Sequence, residues 1–266
     1  MVFFSKFQSE SVIILGTLGG DYSEARAINK FGMVVGWSRT KSGDERAFLW
    51  TKEKGMEDLG TIGGKCSYAR AINESGMVVG NSKTKSGNMH AFLWTREKGM
   101  EDIGTLGGKY SYAKDINESG MVVGYSETKD GNSHAFLWTR EKGMEDLGTI
   151  GGDSSYAYAI NESGMVVGSS ETKNGNDHAF LWTNEKGMKA LNTLGRDFSY
   201  ANSINESGQI VGRVSSKSPW WVKVWYWIDE KLSRPGNKPF PSINNTGPAD
   251  AEAVLWTVPP PEKNKK

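Results

Sequence analysis

Three histidines, His90, His134 and His178, recur 44 residues apart in this 266-residue chain. Imidazoles suggest a metal centre, but even spacing argues against one. Ligands of a zinc ion must sit ~2 Å from it, whereas one histidine per repeated unit keeps them a unit apart. The acid pairs Glu101-Asp102 and Glu145-Asp146 recur in the same way. Glycoside hydrolysis needs two carboxylates held at a defined separation across one bond. Acids repeated in every copy read instead as solvated strand-edge charges. Cys66 is the single cysteine, so it has no intrachain disulfide partner. No histidine recurs beside it, and tyrosine, serine or phenylalanine takes its place in the other copies, so it reads as a tolerated small side chain. No catalytic set, metal set or cofactor motif emerges, and the expectation is a non-enzymatic chain.

Residues that differ between copies are better candidates for binding. One position on the first strand of each unit runs Arg26, Arg70, Lys114, Tyr158, Asn202. If that strand lines a central channel, three cations gather on one side of it and favour an anionic group such as a carboxylate or phosphate. The crossing between units varies too, with Tyr22, Tyr110 and Phe198 where Cys66 and Ser154 stand in other copies. The loops Lys41–Glu45, Lys85–Met89, Lys129–Ser133 and Lys173–Asp177 vary beside them. Trp220 and Trp221, followed by Trp225, Tyr226 and Trp227, form either core of a degenerate unit or an exposed aromatic patch for a carbohydrate or protein.

The elements that must position these residues come from the repeat. HAFLW ends at Trp94, Trp138 and Trp182, with RAFLW ending at Trp50; INESG begins at Ile72, Ile116, Ile160 and Ile204, with INKFG at Ile28. Within one unit, Tyr112–Asn117, Met121–Glu127, His134–Thr139 and Met144–Ile150 are β-branched or aromatic runs bounded by glycine and polar clusters, which is the strand signature. Asn117-Glu118-Ser119-Gly120 suits a turn whose asparagine side chain caps the backbone, with Gly120 supplying a positive φ. That role also accounts for the glycosylation-like N-x-S at Asn73, Asn117, Asn161 and Asn205. Glu141-Lys142-Gly143 makes the second tight hairpin. Both faces of the resulting meander are apolar, so each needs a neighbouring sheet.

Four strands per 44 residues predict an all-β fold, a β-propeller of four-stranded antiparallel blades. The length holds about six units, or five if the C-terminal pieces only cap. Residues 1–258 read as one domain. Trp225 or Trp227 replaces the repeat tryptophan in the fifth unit. Residues 1–20 and 239–258 share a blade that closes the ring and removes its open edges. Residues 259–266 read as a disordered tail rich in proline and lysine. The tryptophans Trp50, Trp94, Trp138 and Trp182 read as core between blades.

Composition narrows the partners. The chain carries 32 basic and 31 acidic residues for a net charge of +1, which gives no bulk argument for nucleic acid or an anionic membrane. No run approaches the ~20 apolar residues of a membrane-spanning helix. The first twenty residues are interrupted by Lys6, Gln8, Ser9 and Glu10, a poor signal peptide.

The pattern GTLGG-x-x-S-[YE]-A-x-x-IN-x-x-G-x-VVG…HAFLW resembles the repeat of the HAF family, a bacterial group of extracellular repeat proteins. It departs at Arg46, which stands where the histidine of HAF would be, and throughout the region after Arg213. The resemblance implies a bacterial, exported protein, and no reaction. The functional expectation is therefore a scaffold that presents variable loops on one propeller face to a protein or other macromolecule, as a monomer. A lectin-like, carbohydrate-binding propeller is the alternative, followed by a hydrolase with its site at the channel mouth.

Overall fold

The computed structural model describes residues 12–216 and 252–257, all of them strand, turn or irregular. Trp220, Trp221, the rest of that aromatic cluster, the tail 259–266 and most of the segments expected to close a ring lie outside the described residues. The first sheet is β1 (Gly19–Ile28), β2 (Val34–Thr40), β3 (Glu45–Thr51) and β4 (Gly55–Asp58). The second is β5 (Gly63–Ile72), β6 (Val78–Thr84), β7 (Met89–Thr95) and β8 (Gly99–Asp102). The third is β9 (Gly107–Ile116), β10 (Val122–Thr128), β11 (Ser133–Thr139) and β12 (Gly143–Asp146). The fourth is β13 (Ser155–Ile160), β14 (Val166–Glu171), β15 (Asp177–Thr183) and β16 (Gly187–Ala190). A fifth sheet contains β17 (Phe198–Ile204), β18 (Gln209–Ser215) and β19 (Glu252–Thr257). Every sheet is an antiparallel meander, with four strands in the first four and three in the fifth.

The four strands expected in the unit Tyr112–Ile150 are present, two of them with boundaries displaced by more than one residue. β9 begins at Gly107, ahead of Tyr112, because the glycine pair lets the chain lie against Thr128 before the core residues start. β12 stops at Asp146, short of Ile150, because the Asp146 carboxylate accepts the Gly148 N–H at 2.7 Å and turns the chain away. The glycine of each V-V-G has a different origin. A Cβ on Gly124 would stand 1.9 Å from the Tyr112 carbonyl oxygen, and Gly36, Gly80, Gly168 and Gly212 repeat that approach. Only glycine lets the first and second strands come this close.

Consecutive sheets stack face to face. Val35, Ala47 and Leu49 of the first sheet pack with Ala69, Val78, Phe92 and Trp94 of the second. Trp138, Trp182 and Trp256 occupy the corresponding places further along. Trp94, Trp138, Trp182 and Trp256 thus pack between sheets, whereas Trp50 is half-buried and belongs to none of these clusters; Phe48, Phe92, Phe136 and Phe180 are wholly buried. Serine ties the stack as well. Ser111 accepts the Ala91 N–H of the preceding sheet at 2.8 Å and donates to the Gly104 carbonyl. Ser67 and Ser155 do the same, so the recurring serine after the glycine pair of the second, third and fourth units is a buried, doubly used hydroxyl.

The fifth sheet corrects one expectation. Its third strand is β19, which pairs Ile210 with Trp256 just as β2 and β3 pair Val34 with Trp50. Trp256, and neither Trp225 nor Trp227, therefore fills the place of the repeat tryptophan. Its indole donates to the Asn192 carbonyl at 2.8 Å. Among the described residues no sheet joins strands from both ends of the chain. The outermost faces show it: Ile28 is 68% exposed where Ile116 is 6% exposed, and Leu255 is 59% exposed where Leu49 is 1% exposed.

Candidate functional site

The meander gives the stack two ends with opposite characters. The N-E-S-G turns form one end, and they are bonded to one another. In each turn the asparagine Oδ1 accepts a backbone N–H of its own turn, as Asn117 does from Met121 at 2.9 Å. Its Nδ2 then donates to the next turn's asparagine carbonyl, from Asn29 to Asn73, Asn73 to Asn117, Asn117 to Asn161 and Asn161 to Asn205, at 3.0 to 3.1 Å. The glutamate side chains reach back to the turn before and accept from it. Glu162 accepts the Glu118 N–H at 2.8 Å, and Glu206 accepts that of Glu162. These residues are constant because each serves two turns.

The opposite end carries the crossings and the second-to-third strand loops, and here each pair of sheets makes a different cleft. The same positions line them all: two from the first strand, two from the second, one opening the third, and one from the next sheet's first strand. In the first cleft Tyr22 stacks on Trp37 at 4.8 Å, and Tyr68 of the second sheet meets Trp37 edge-on at 5.8 Å. The Arg39 guanidinium lies 5.9 Å from the Tyr22 ring centre, bonds Asp21 at 3.2 Å and approaches Glu45 at 3.9 Å. The Tyr68 hydroxyl donates to Glu45, and burial together with that bond holds the phenol well above its ordinary pKa. In the second cleft Met89, 1% exposed, packs among Tyr68, Tyr112 and their neighbours.

The third cleft is open. Tyr110, Tyr112, Tyr125, Glu127, Gly131 and Ser133 of the third sheet, with Tyr156 of the fourth, enclose a cavity of about 210 Å³. Tyr112 and Tyr125 stack at 5.0 Å, and Tyr156 meets Tyr125 edge-on at 5.1 Å. Burial pushes the Tyr156 hydroxyl up to about 12, against hydrogen bonds with Ser154 and Ser133 that lower it. One Glu127 oxygen accepts the Lys109 N–H. Between the fourth and fifth sheets, Tyr200 donates to Asp177 at 3.0 Å and carries the Arg213 guanidinium 4.4 Å from its ring centre.

The residues singled out from sequence distribute unevenly over this geometry. Tyr110 lines the cavity, Tyr22 belongs to the first cleft, and Phe198 is half-buried at the head of β17. In the column proposed as channel-lining, Arg26 pairs with Glu24 at 2.9 Å and Lys114 lies 5.2 Å from the Tyr125 ring centre. Tyr158 bonds Ser169 at 3.1 Å, and Asn202 is exposed. Arg70 is half-buried, with its Nε enclosed. Ser133 closes the variable loop Lys129–Ser133, whereas Tyr112, Tyr125, Glu127 and Tyr156 are not among the candidates from sequence. The usable signal was the second-strand column Trp37, Asn81, Tyr125, Ser169, Arg213, in which no two copies agree.

The repeated acids turn out to be paired. Asp102 and Asp146 bond His90 and His134 at 2.9 and 2.8 Å, while Glu57 and Glu101 pair with Arg96 and Arg140 of the following sheet. For Asp102, burial alone would raise the pKa, but the His90 and Gly104 bonds outweigh it and lower it. Among the described residues no group of three histidine, cysteine or acidic side chains could hold a metal ion. No helix there is long and apolar enough to cross a membrane.

A family described as a protein of unknown function (DUF3466) matches residues 21–146, which span the first three sheets. No curated protein matches in sequence. Among solved structures, a gluconolactonase of Xanthomonas campestris is similar at 9% identity and a TM-score of 0.42, over 75% of this chain and 72% of that one. AofleA of Arthrobotrys oligospora is similar at 13% identity and a TM-score of 0.42, over 72% of this chain and 67% of that one.

Proposed function

We propose that this chain is a non-catalytic binding module whose variable end recognises a protein partner. One observation carries the reading: the clefts between sheets differ in every copy at one end, while the other end is bonded turn to turn. Loops on a rigid scaffold are where recognition residues accumulate. The module closes into a propeller ring. Supporting this, Ser23 already bonds the Gly16 carbonyl at 2.7 Å, the same contact that Ser67 and Ser155 make within a crossing from a preceding sheet. Whether six blades or five complete the ring, the closing element has to cover Ile28 and Phe31 at one end and Val211 and Leu255 at the other.

Panning a random peptide library against the full chain tests this function. Enriched peptides should lose binding when Trp37 and Tyr125 are replaced by alanine, and keep it when Lys52 and Lys142 are. Peptides insensitive to the first pair but lost with the second would place recognition at the wrong end. The stacked pair Tyr112–Tyr125 supports a second reading, a carbohydrate site with aromatic walls. Hits on a glycan array, with none from peptides, would favour it.

A further inference from the structure

The third cleft has the plan of the first, with a carboxylate in place of the cation that lies over the rings there. Tyr110, Tyr125 and Tyr156 occupy the places of Tyr22, Trp37 and Tyr68. Glu127 stands where Arg39 does and Lys109 where Asp21 does, so the pair at the rim is reversed in sign; Tyr112 stands where Glu24 does, and Ser133 where Glu45 does. The exposed Lys109 is not among the cavity walls. In the first cleft Arg39 lies over Tyr22 between Asp21 and Glu45. In the third there is a cavity of about 210 Å³, several times the ~30 Å³ share of one water, and Glu127 is its only charged wall.

Elsewhere the chain shows what such ring clusters attract. Arg213 rests 4.4 Å from the Tyr200 ring centre, while Tyr200 holds the Asp177 carboxylate. Lys114 sits 5.2 Å from Tyr125 without being a wall of the cavity. Rings and a carboxylate, with no cation of their own in the walls, make a receptor for a flat organic cation. Aromatic faces attract it by their quadrupole, and the carboxylate supplies charge and a hydrogen-bond acceptor. Resting on the reading that the variable end meets a protein, we propose that this cavity receives the guanidinium group of an arginine side chain on the partner. A neutral sugar could donate hydroxyl hydrogen bonds to Glu127 but would leave its charge unneutralised, and an anion would be repelled by it.

Calorimetric titration of the full chain at low salt with methylguanidinium, a capped arginine and methyl α-glucoside tests the proposal. Methylguanidinium and the capped arginine should bind saturably, and the glucoside should not. Glu127→Gln should weaken binding about tenfold, as loss of a charge-assisted hydrogen bond does. Ser133→Met, which introduces the side chain that fills the second cleft, should abolish it. The double variant Glu127→Arg with Ser133→Glu gives the cavity the first cleft's own ion pair, and should abolish binding as well. It serves as the second probe if Ser133→Met does not fold. Saturable glucoside binding without methylguanidinium binding would overturn the proposal. So would no saturable cation binding, or cation binding unchanged in the folded variants. Peptides that need the variable end, from a chain that ignores methylguanidinium, would overturn this inference alone and leave the binding module intact.

Discussion

Tyr125 and Ser133 show how little it takes to turn a packing position into a cavity. Tyr125 walls a space that Met89, at the place of Ser133, fills one unit earlier. Both residues were readable in the sequence, because copies aligned at 44 residues disagree there. Their convergence was not, because three strands and the next sheet must come together first. Asp115 also departs from its column, where alanine or serine stands in the other units. Its carboxylate accepts the Ile160 and Ile116 N–H groups at 3.0 and 2.9 Å. Burial nevertheless raises it to about 6, the two bonds opposing that shift and the Glu162 charge adding to it. A carboxyl raised in the fold binds its proton more tightly folded than unfolded. Its stabilising contribution is therefore complete below pH ~4 and is lost as pH rises through about 6. Urea unfolding from pH 4 to 7 should show wild type losing roughly 2 kcal/mol relative to Asp115→Ala. Parallel curves would mean that the carboxyl does not titrate as its burial requires.

At the scale of the element, the strands and turns were legible because their periodicity and glycine spacing are physical requirements. Gly124 states one of them most sharply. Gly124→Ala puts a Cβ 1.9 Å from a backbone oxygen, so the pairing of β9 with β10 has to shift. It should cost about 3 kcal/mol or more, in the range of severe core overpacking. Asn117→Ala removes the cap on Met121 and the bond to the Asn161 carbonyl in a side chain only 3% exposed. The expected loss is about 2–4 kcal/mol, since buried partners are left unsatisfied. Asn205, exposed and bonding within its own turn to Gln209, should cost under ~2 kcal/mol when replaced by alanine. Chemical denaturation of the two variants side by side checks the order. In the fifth sheet the third strand comes from Glu252–Thr257, far along the chain from β18, so chain adjacency does not give strand adjacency there. A-V-L-W-T matches A-F-L-W-T better than any piece of Trp220–Lys231 does, and that match was the better guide.

For the whole molecule, identity between units marks the scaffold and difference marks the surface, but identity alone does not disclose the bonds at the constant end. The N-E-S-G turns read as local caps; in the stack they are also the bonds between sheets, which single-unit reasoning cannot show. Pairs at the rim are different in kind. Glu101 and Arg140 join two sheets at 2.9 Å but stay largely in solvent, so Glu101→Gln should change stability by less than about 1 kcal/mol. The larger consequence is that one end is free to vary because the other is fixed. Backbone amide shift mapping of the full chain with methylguanidinium tests that division most directly. The account predicts saturable shifts confined to residues around Tyr112, Tyr125, Ser133 and Tyr156, with the turns at Asn117 and Asn161 unmoved. Shifts centred on those turns, or spread evenly over all five sheets, would contradict it.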